Sequence, residues 1–571
     1  MTVIDYAQII LFLILLVAVT PVIGSFMSKV YLGERNFLSP VFGWLERLTY
    51  KAAGIDEKEE MTWTAYAKHL LLFNAVGIIF VLVLQMIQAH LPGNPAALGN
   101  VSWHSALNTA ISFVTNTNWQ GYSGEVTMSY LTQMLALAVQ NFLSAATGMS
   151  VAVALARGIS RKNSNTIGNF WFDLTRSTLY ILLPLSIIMA IVLVGQGVVQ
   201  TFASYVDVMT LEGVKQTIPL GPAASQIAIK MLGTNGGGFF NANAAHPFEN
   251  PTALSNFIQM FSIFVIPAGL TYVFGTMVKA RRQGWALFAA MFIMFVGGLA
   301  ISMWSEYSTN PIYHQAGLTP GSLASSMEGK ETRFGVMNSV LFSVITTDAS
   351  CGAVNAMHAS LSPLSGLVAM VNMGVNEVIF GGVGSGLYGM LLFVLLTVFL
   401  AGLMVGRTPE YLGKKIEAWE MKMVIFSILG PGAAILIGAG LSAVLPTALS
   451  SLANKGPHGL SEIIYAFTSA AANNGSAFAG LNANTTYYNL MLGAVMLIGR
   501  FAIILPALAI AGSLAKKKTS PASNGTFTTD SPIFVVLLIG VIIIEVALTF
   551  VPAWALGPVV EHFLMLQGHV F

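Results

Sequence analysis

Charged side chains are scarce in this chain. Of its 571 residues only 9% are Asp, Glu, Lys or Arg, against roughly 25% in soluble domains. Hydrophobic residues make up 55% and the mean hydropathy is +0.73, so the charges are too few for a soluble or a disordered chain of this length. The formal net charge is only +2 and the longest basic run is the lysine triplet at 516–518, which excludes a nucleic-acid-binding protein. We therefore predict a helical integral membrane protein, embedded in the lipid bilayer.

Cysteine and nucleotide-binding motifs are also nearly absent. The single cysteine, Cys351, cannot form an internal disulfide. The sequence contains neither a GxxxxGK[ST] phosphate-binding loop nor a DKTGT-like phosphorylation motif, and it offers no constellation of nucleophile, base and metal ligands. A GxGxxG pattern at Gly384, Gly386 and Gly389 lies inside an apolar stretch without strand–helix–strand context, so it does not indicate a dinucleotide site. We expect no nucleotide to bind this chain and no catalysis by it alone.

Ten apolar stretches are long enough to cross a membrane, because a hydrocarbon core of roughly 30 Å requires about 20 apolar residues per helix. The first stretch reaches Lys29 without a small-residue cleavage site, so we expect a retained helix and not a signal peptide. The expected fold class is an all-α polytopic membrane protein with ten transmembrane helices. The stretches run approximately over 6–28, 66–90, 127–156, 173–200, 254–278, 285–304, 364–405, 422–446, 487–512 and 533–556.

Lys and Arg are distributed unevenly between alternate loops. One set of loops carries twenty of these cations and the other only five, while Arg500 lies inside a span. Cationic loops stay on the cytoplasmic side during insertion. Both termini are therefore predicted to lie on the outer side.

Four of the outer loops contain an apolar segment too short to span, followed by small, polar, uncharged residues. Backbone that leaves the helix at membrane depth is tolerated only where protein buries it or where it lines a water-filled cavity. We predict a half-helix and a re-entrant loop in each case. The four segments read HSALNTAISFV-TNTNWQGY, SQIAIKMLG-TNGGGFFN, GVMNSVLFSVI-TTDASCGAVN and LSEIIYAFTSA-AANNGSAFAG.

These loops recur at a nearly constant interval. Asn118, Gly236, Gly352 and Gly475 are 118, 116 and 123 residues apart, each between a pair of full-length spans. This period predicts four fused helix–re-entrant loop–helix repeats around a pseudo-fourfold axis, with an extra helix at each end. The expected units are an N-terminal helix at 1–30, repeats at 66–156, 172–280, 284–406 and 420–515, and a C-terminal helix at 531–571.

A ring of four uncharged re-entrant loops can present backbone carbonyls that replace the hydration shell of a cation. Gly236, Gly352 and Gly475 can adopt left-handed backbone conformations, and Asn is a residue type that tolerates them well, as required at Asn118. A divalent-cation site would require carboxylate ligands, and these loops contain almost none. The pattern indicates a monovalent cation.

The motifs TNTNWQGYSGE, TNGGGFFNANAAHPFENP, TTDASCGAVNAMH and FGGVGSGLYGM resemble those of the potassium-binding subunits of bacterial Kdp potassium-transporting ATPases, over the whole chain. This family is related to potassium transporters in which one chain mimics a tetrameric channel. The resemblance implies a K⁺ selectivity filter, with Gln120 just after its first segment linked to ion affinity. The implied filter residues are Asn116, Thr117, Asn118, Thr234, Asn235, Gly236, Ser350, Cys351, Gly352, Asn473, Asn474 and Gly475.

The seventh apolar stretch, about 364–405, is twice as long as a bilayer requires, and FGGVGSG interrupts it. A helix cannot remain regular through so many glycines, so we predict an intramembrane loop beneath the filter. The resemblance implies that this loop closes the cytoplasmic exit and turns the ion sideways toward a catalytic subunit. The glycines assigned to this gate are Gly381, Gly382, Gly384 and Gly386.

Three charged residues near this level, Glu377, Arg407 and Arg500, are further candidates for gating or coupling, because charges inside a membrane are costly. A salt bridge that only joins two helices is the alternative for Glu377 and Arg500. Glu545 in the tenth stretch could pair with a partner helix. His246 and His358 are interpreted as loop-packing residues and not as metal ligands.

Two functions remain open at this point. The first is the K⁺-binding subunit of an ATP-driven uptake complex in the bacterial inner membrane, with a P-type ATPase catalytic subunit and small accessory membrane subunits as partners. The alternative is a secondary or channel-like K⁺ transporter of the same superfamily, with a cytoplasmic regulatory ring. The filter motifs and the two end helices favour the first.

Overall fold

The computed structural model describes residues 1–308, 311–312, 317, 326–520 and 527–569. Within these ranges ten helices are long and apolar enough to cross a membrane, as the sequence predicts. These spans, numbered in chain order, are Val3–Tyr31, Trp63–Met86, Thr132–Ser160, Phe170–Gly195, Ala253–Met277, Arg281–Tyr307, Ser385–Val405, Ala418–Ser442, Thr486–Lys516 and Pro532–Leu566. Spans 3, 4 and 10 each contain a π-helical stretch, at Thr132–Ala138, Ser177–Leu182 and Ala555–Val559.

A half-helix lies between the two spans of each predicted repeat. With 12, 10, 14 and 17 residues, these half-helices are too short to cross a hydrocarbon core at about 1.5 Å per residue. Each one ends three or four residues before the periodic loop position, Asn118, Gly236, Gly352 or Gly475, so the chain must return to the face from which it entered. Half-helices 1 to 4 are Trp103–Val114, Ala223–Leu232, Gly335–Asp348 and Gly456–Ala472.

The burial of the spans follows the repeats. In the most apolar window of each span, the share of buried residues is 89, 78, 56 and 61% for spans 3, 5, 7 and 9, the second helices of the four repeats. It is only 28, 39, 50 and 44% for spans 2, 4, 6 and 8, the first helices. The second helix is thus the more buried in every repeat, and the four form an inner ring around the half-helices. Spans 1 and 10, at 22 and 33%, lie on the periphery.

The seventh apolar stretch is broken where the glycines predict it. A helix at Pro363–Gly374 ends, residues 375–384 form a loop, and span 7 begins at Ser385. Within this loop Asn376, Glu377, Phe380 and Gly384 all have positive φ angles, of 55°, 50°, 45° and 98°. Four left-handed residues in nine cannot continue a right-handed helix, so the break is a built turn and not a simple kink.

The remaining elements are short and connect the spans. They include an amphipathic helix at Ser39–Ala53 and two antiparallel hairpins, Val206–Met209 with Lys215–Ile218 and Glu410–Tyr411 with Lys414–Lys415. Short helices occupy Gln88–His90, Gly124–Thr127, Asn243–Ala245, His358–Ser360 and Pro446–Leu449.

Candidate ion-binding site

The four loops that follow the half-helices share one backbone conformation. We align them as loop 1, residues 115–118, loop 2, residues 233–236, loop 3, residues 349–352, and loop 4, residues 472–475. The second and the fourth residue of every loop have positive φ, between 47° and 99°. The eight residues are Asn116, Asn118, Thr234, Gly236, Ser350, Gly352, Asn473 and Gly475.

Five of these eight left-handed residues are not glycine, and of the five the sequence predicts only Asn118. A left-handed conformation costs a residue with a Cβ roughly 1–2 kcal/mol, and for the β-branched Thr234, with φ of 47°, it is a genuine outlier. Such strain persists only where the surrounding structure enforces it, and it clusters at functional sites. The repetition of the same strain in four loops therefore marks this level as a functional site.

The loops close a ring in the order 1–2–3–4. A Cβ added to Gly236 in loop 2 would overlap the carbonyl oxygen of Cys351 in loop 3, and one added to Gly352 would overlap that of Asn474 in loop 4. A Cβ on Gly475 would overlap the carbonyl oxygen of Thr117, which returns the chain of contacts to loop 1. Glycine is thus required by close approach of backbone as well as by φ.

Loop 1 has asparagine where the others have glycine, and its side chain finds two acceptors. The Asn118 amide donates to the Asn141 Oδ1 at 2.7 Å and to the carbonyl oxygen of Gly236 at 3.3 Å. The side chain therefore occupies the boundary between loops 1 and 2 and joins the two loops there.

Polar side chains brace neighbouring loops against each other. Asn116 Nδ2 donates to the Thr234 carbonyl at 3.0 Å, and Ser350 Oγ donates to the Asn473 carbonyl at 2.9 Å. Asn473 Nδ2 in turn donates to Thr117 Oγ1 at 3.0 Å. At the boundary of loops 2 and 3 the Cys351 thiol lies 4.0 Å from the Lys230 carbonyl, a weak contact that makes this the least braced boundary.

The third residue of each loop has a carbonyl without a donor. Among the residues that the structure describes, no hydrogen bond reaches the backbone oxygen of Thr117, Asn235, Cys351 or Asn474. All four residues are at most 5% exposed. Buried carbonyls are nearly always paired, so four orphaned oxygens in one ring are suited to a ligand that accepts their lone pairs.

Gln120 and a buried ion pair hold the backbone that follows the ring. Gln120 accepts from the Gly238 amide at 2.7 Å and donates to the Gly238 carbonyl at 3.1 Å. Lys230, in half-helix 2, contacts Glu249 at 2.6 Å and donates to the Gly237 carbonyl at 2.9 Å. Both ionic side chains are at most 1% exposed. Lys230 is one of the five cations of the predicted outer loops, and its place in an apolar half-helix is a sequence signal for a buried partner.

The loop at residues 375–384 lies directly against the ring. Val383 donates its amide to Thr234 Oγ1 at 2.8 Å, and a Cβ on Gly382 would approach both Ser350 and Thr234. Gly381 and Gly386 pack against each other, and Gly384 packs against the Gly148 carbonyl in span 3. The structure thus brings the predicted gate glycines to the end of the ring formed by Thr234 and Ser350, the second residues of loops 2 and 3, which we call the inner end.

Two of the three charged candidates lie beside this loop, but they do not pair. Glu377 is buried, and its carboxylate faces Ser350 and Asn474 without a well-formed hydrogen bond. Arg500 donates from Nη2 to the Ser144 carbonyl at 3.1 Å. No ion pair in the described ranges joins Glu377 to Arg500, so the salt-bridge alternative is wrong. Arg407 is exposed beyond the far end of span 7 and lies apart from the site.

A small cavity continues from the inner end of loops 3 and 4. Its volume of about 20 Å³ is enough for roughly one water molecule. Its walls include polar groups from both sides, among them Ser350, Asn376, Ser385, Asn473 and Arg500. The lining residues belong to repeats 3 and 4, so the cavity lies between these two repeats, beside the loop at 375–384.

Known proteins now identify the chain's relatives. The family model "Potassium-transporting ATPase A subunit" matches residues 10–563. The chain is 58% identical to the potassium-transporting ATPase potassium-binding subunit of Mesorhizobium japonicum and 57% identical to that of Rhizobium rhizogenes, in each case over 571 residues and 100% of both chains. The chain belongs to this family. The potassium-transporting ATPase A subunits are therefore its relatives throughout, and not only in the four loops.

A solved structure supports the fold independently. The potassium transporter TrkH from Vibrio parahaemolyticus superposes with a TM-score of 0.53 at 15% identity, covering 88% of this chain and 97% of that one. This similarity shows the fold of four helix–loop–helix repeats. Family membership, and not this structural likeness, favours the pump subunit over the secondary transporter.

Proposed function

We propose that this chain binds K⁺ from the outer side in the ring of loops 1–4 and passes it to a P-type ATPase subunit of an uptake complex in the bacterial inner membrane. The observation that carries the proposal is the ring of four unpaired carbonyls at Thr117, Asn235, Cys351 and Asn474. Alternating left-handed and ordinary residues turn successive carbonyls toward the same side, which allows one ring to supply several layers of oxygen ligands.

The chemistry of the ring favours a monovalent cation. Its ligands are neutral dipoles, and a divalent cation would require carboxylates in direct contact. Every loop is held by hydrogen bonds from a neighbouring loop or a half-helix, so the oxygens have little freedom to collapse around a smaller ion. The half-helices contribute their C-terminal ends, whose partial negative charge stabilises a cation.

The loop at 375–384 supplies the gate in this proposal. It blocks the straight inward path, so an ion that leaves the ring must turn into the cavity between repeats 3 and 4. Glu377, which faces loops 3 and 4, attracts the ion toward the loop, while Arg500, which lines the cavity, repels it and limits its residence. Such a sideways exit requires a partner chain to receive the ion.

In this proposal the partner chain, and not this one, couples ATP hydrolysis to K⁺ transport. The chain carries no nucleotide-binding motif, so we propose that it is a non-catalytic subunit that neither binds nor hydrolyses ATP. A P-type ATPase chain and small accessory membrane subunits complete the complex. The cation-rich loops face the cytoplasm, and both termini lie outside.

The test is K⁺ transport by the reconstituted complex with Gly236→Ala. The added Cβ overlaps the Cys351 carbonyl in the ring, so we expect K⁺-stimulated ATP hydrolysis at low K⁺ to fall at least about tenfold, or Na⁺ to begin to compete. Gly440→Ala is the matched control, because nothing lies within 4 Å of the added methyl, and it should behave as the wild type. Unchanged affinity and selectivity in Gly236→Ala would refute the proposal, and transport without any ATPase partner would support the secondary transporter.

A further inference from the structure

The last residue of half-helix 3, Asp348, breaks the fourfold pattern behind the ring. The loops place Val114, Leu232 and Ala471 at the equivalent position of repeats 1, 2 and 4. All three are apolar and fully buried. Three of the four repeats therefore have an apolar side chain at this position, and repeat 3 has a carboxyl group.

Asp348 is buried without a partner. It is 0% exposed, and neither carboxylate oxygen has a hydrogen-bond partner in the part of the chain that the structure describes. Two side-chain amides donate to the residues just before it, Asn474 Nδ2 to the Thr346 carbonyl at 2.9 Å and Asn372 Nδ2 to Thr347 Oγ1 at 3.1 Å. The C-terminal end of half-helix 3 carries a partial negative charge, which makes a negative charge on Asp348 still less favourable.

Asp348 lies close in the chain to the proposed ion site. It directly precedes loop 3, whose Cys351 carbonyl belongs to the ring. It also interacts electrostatically with Glu377, whose own carboxylate oxygens lack partners and which faces loops 3 and 4 at the inner end of the ring. Burial without a partner disfavours the ionised form of both carboxyl groups, and a cation in the ring would favour it.

We propose that Asp348 is an electrostatic residue that strengthens K⁺ binding at the inner end of the ring without contacting the ion. This inference rests on the proposed K⁺ site. It requires the carboxylate to be retained at the expense of stability, because an apolar residue at this position is compatible with the fold in the other three repeats. Removing the charge should therefore stabilise the protein and weaken ion binding at the same time.

The test uses the purified complex with Asp348→Val, which introduces the residue type of repeat 1, and with Asp348→Asn, which keeps the shape and removes the charge. Both variants should raise the apparent KM for K⁺-stimulated ATP hydrolysis about tenfold, the scale of one nearby unit charge at the effective dielectric of a protein, with kcat unchanged. Asp348→Val should also raise the Tm in K⁺-free buffer by about 2–4 °C. Leu232→Val, at the equivalent position of repeat 2, is the control and should leave the KM unchanged.

The outcomes separate this inference from the K⁺ site itself. An unchanged KM in either Asp348 variant, with normal K⁺ dependence in the wild type, would overturn the inference alone. A lower Tm in Asp348→Val would assign the carboxylate a purely structural role and overturn it as well. Absence of K⁺ binding by the wild-type complex would remove both the K⁺ site and the inference.

Discussion

The outer and inner ends of the candidate ion path are built on different principles. The ring consists of four similar loops, each with the same pair of left-handed residues and with a buried carbonyl that has no hydrogen-bond donor. The loop at 375–384 occurs once, in repeat 3; it contains Glu377, and Arg500 lines the same cavity as its Asn376. Four similar loops are suited to ion selectivity, because they surround one ion with equivalent oxygen ligands. A loop that is present in only one repeat is suited to directing the ion, because it leaves the exit open on one side only.

The difference predicts separable defects at the two ends, and this is the largest effect that we expect. Gly352→Ala, in the ring, should abolish high-affinity K⁺ binding, because its Cβ overlaps the Asn474 carbonyl. Gly384→Ala, with φ of 98° and a Cβ that overlaps the Gly148 carbonyl, should leave K⁺ affinity within about twofold and uncouple transport from ATP hydrolysis. Parallel measurement of K⁺-stimulated ATPase activity and K⁺ uptake in one preparation checks this. A proportional loss of ATPase activity and K⁺ uptake in Gly384→Ala would contradict the separate roles of the ring and the loop at 375–384.

The buried pair behind loop 2 is expected to stabilise the ring more than to bind the ion. Glu249→Gln or Lys230→Met alone leaves an uncompensated buried charge or donor and should destabilise by about 3–5 kcal/mol. The double variant should recover most of the lost stability. Thermal denaturation in detergent, with and without K⁺, measures this. Additive losses in the double variant would show that the two residues act independently.

Gln120 should have a smaller effect, because it acts at the mouth of the ring through Gly238. Gln120→Arg adds a positive charge near the entrance and removes the acceptor for the Gly238 amide, so the apparent KM for K⁺ should rise several-fold, about 1 kcal/mol. Gln120→Met keeps the size and loses only the hydrogen bonds, and it should have a weaker effect. Equal KM values for the two variants would show that charge at the entrance is irrelevant.

The smallest effect is predicted far from the ring, at the ion pair of Arg161 with Glu60. The Arg161 guanidinium lowers the pKa of the Glu60 carboxyl, against the opposing effect of partial burial. The folded carboxyl thus binds protons less readily than the unfolded one, so its contribution is present above the unfolded pKa and is lost as the pH falls through the folded pKa. Because the Glu60 side chain is 46% exposed, the contribution is at most about 1 kcal/mol. Glu60→Gln should lower the Tm slightly at pH 7 and not at pH 3, and an equal shift at both would contradict the assignment.

The sequence predicts elements that depend on apolar length and glycine better than elements that depend on tertiary contacts. Ten spans and the break in the seventh follow from apolar length and glycine, and both are present in the structure. The left-handed conformation of Thr234 and Ser350 could not be read from residue type, because their φ is imposed by packing with neighbouring loops. The Lys230–Glu249 pair was missed since its partners are 19 residues apart and meet only through tertiary structure. Asp348 was visible in the motif TTDASCG, but its isolation became evident only when the four repeats were aligned in space.

The central claim is that the unpaired carbonyls of Thr117, Asn235, Cys351 and Asn474 hold the transported cation. The most direct test is an experimental structure of the complex in Rb⁺ or Tl⁺, which replace K⁺ and can be located by anomalous scattering. The account predicts an ion on the axis of the ring, in direct contact with all four of these oxygens. An ion bound by side-chain carboxylates, or density only outside the ring, would contradict it.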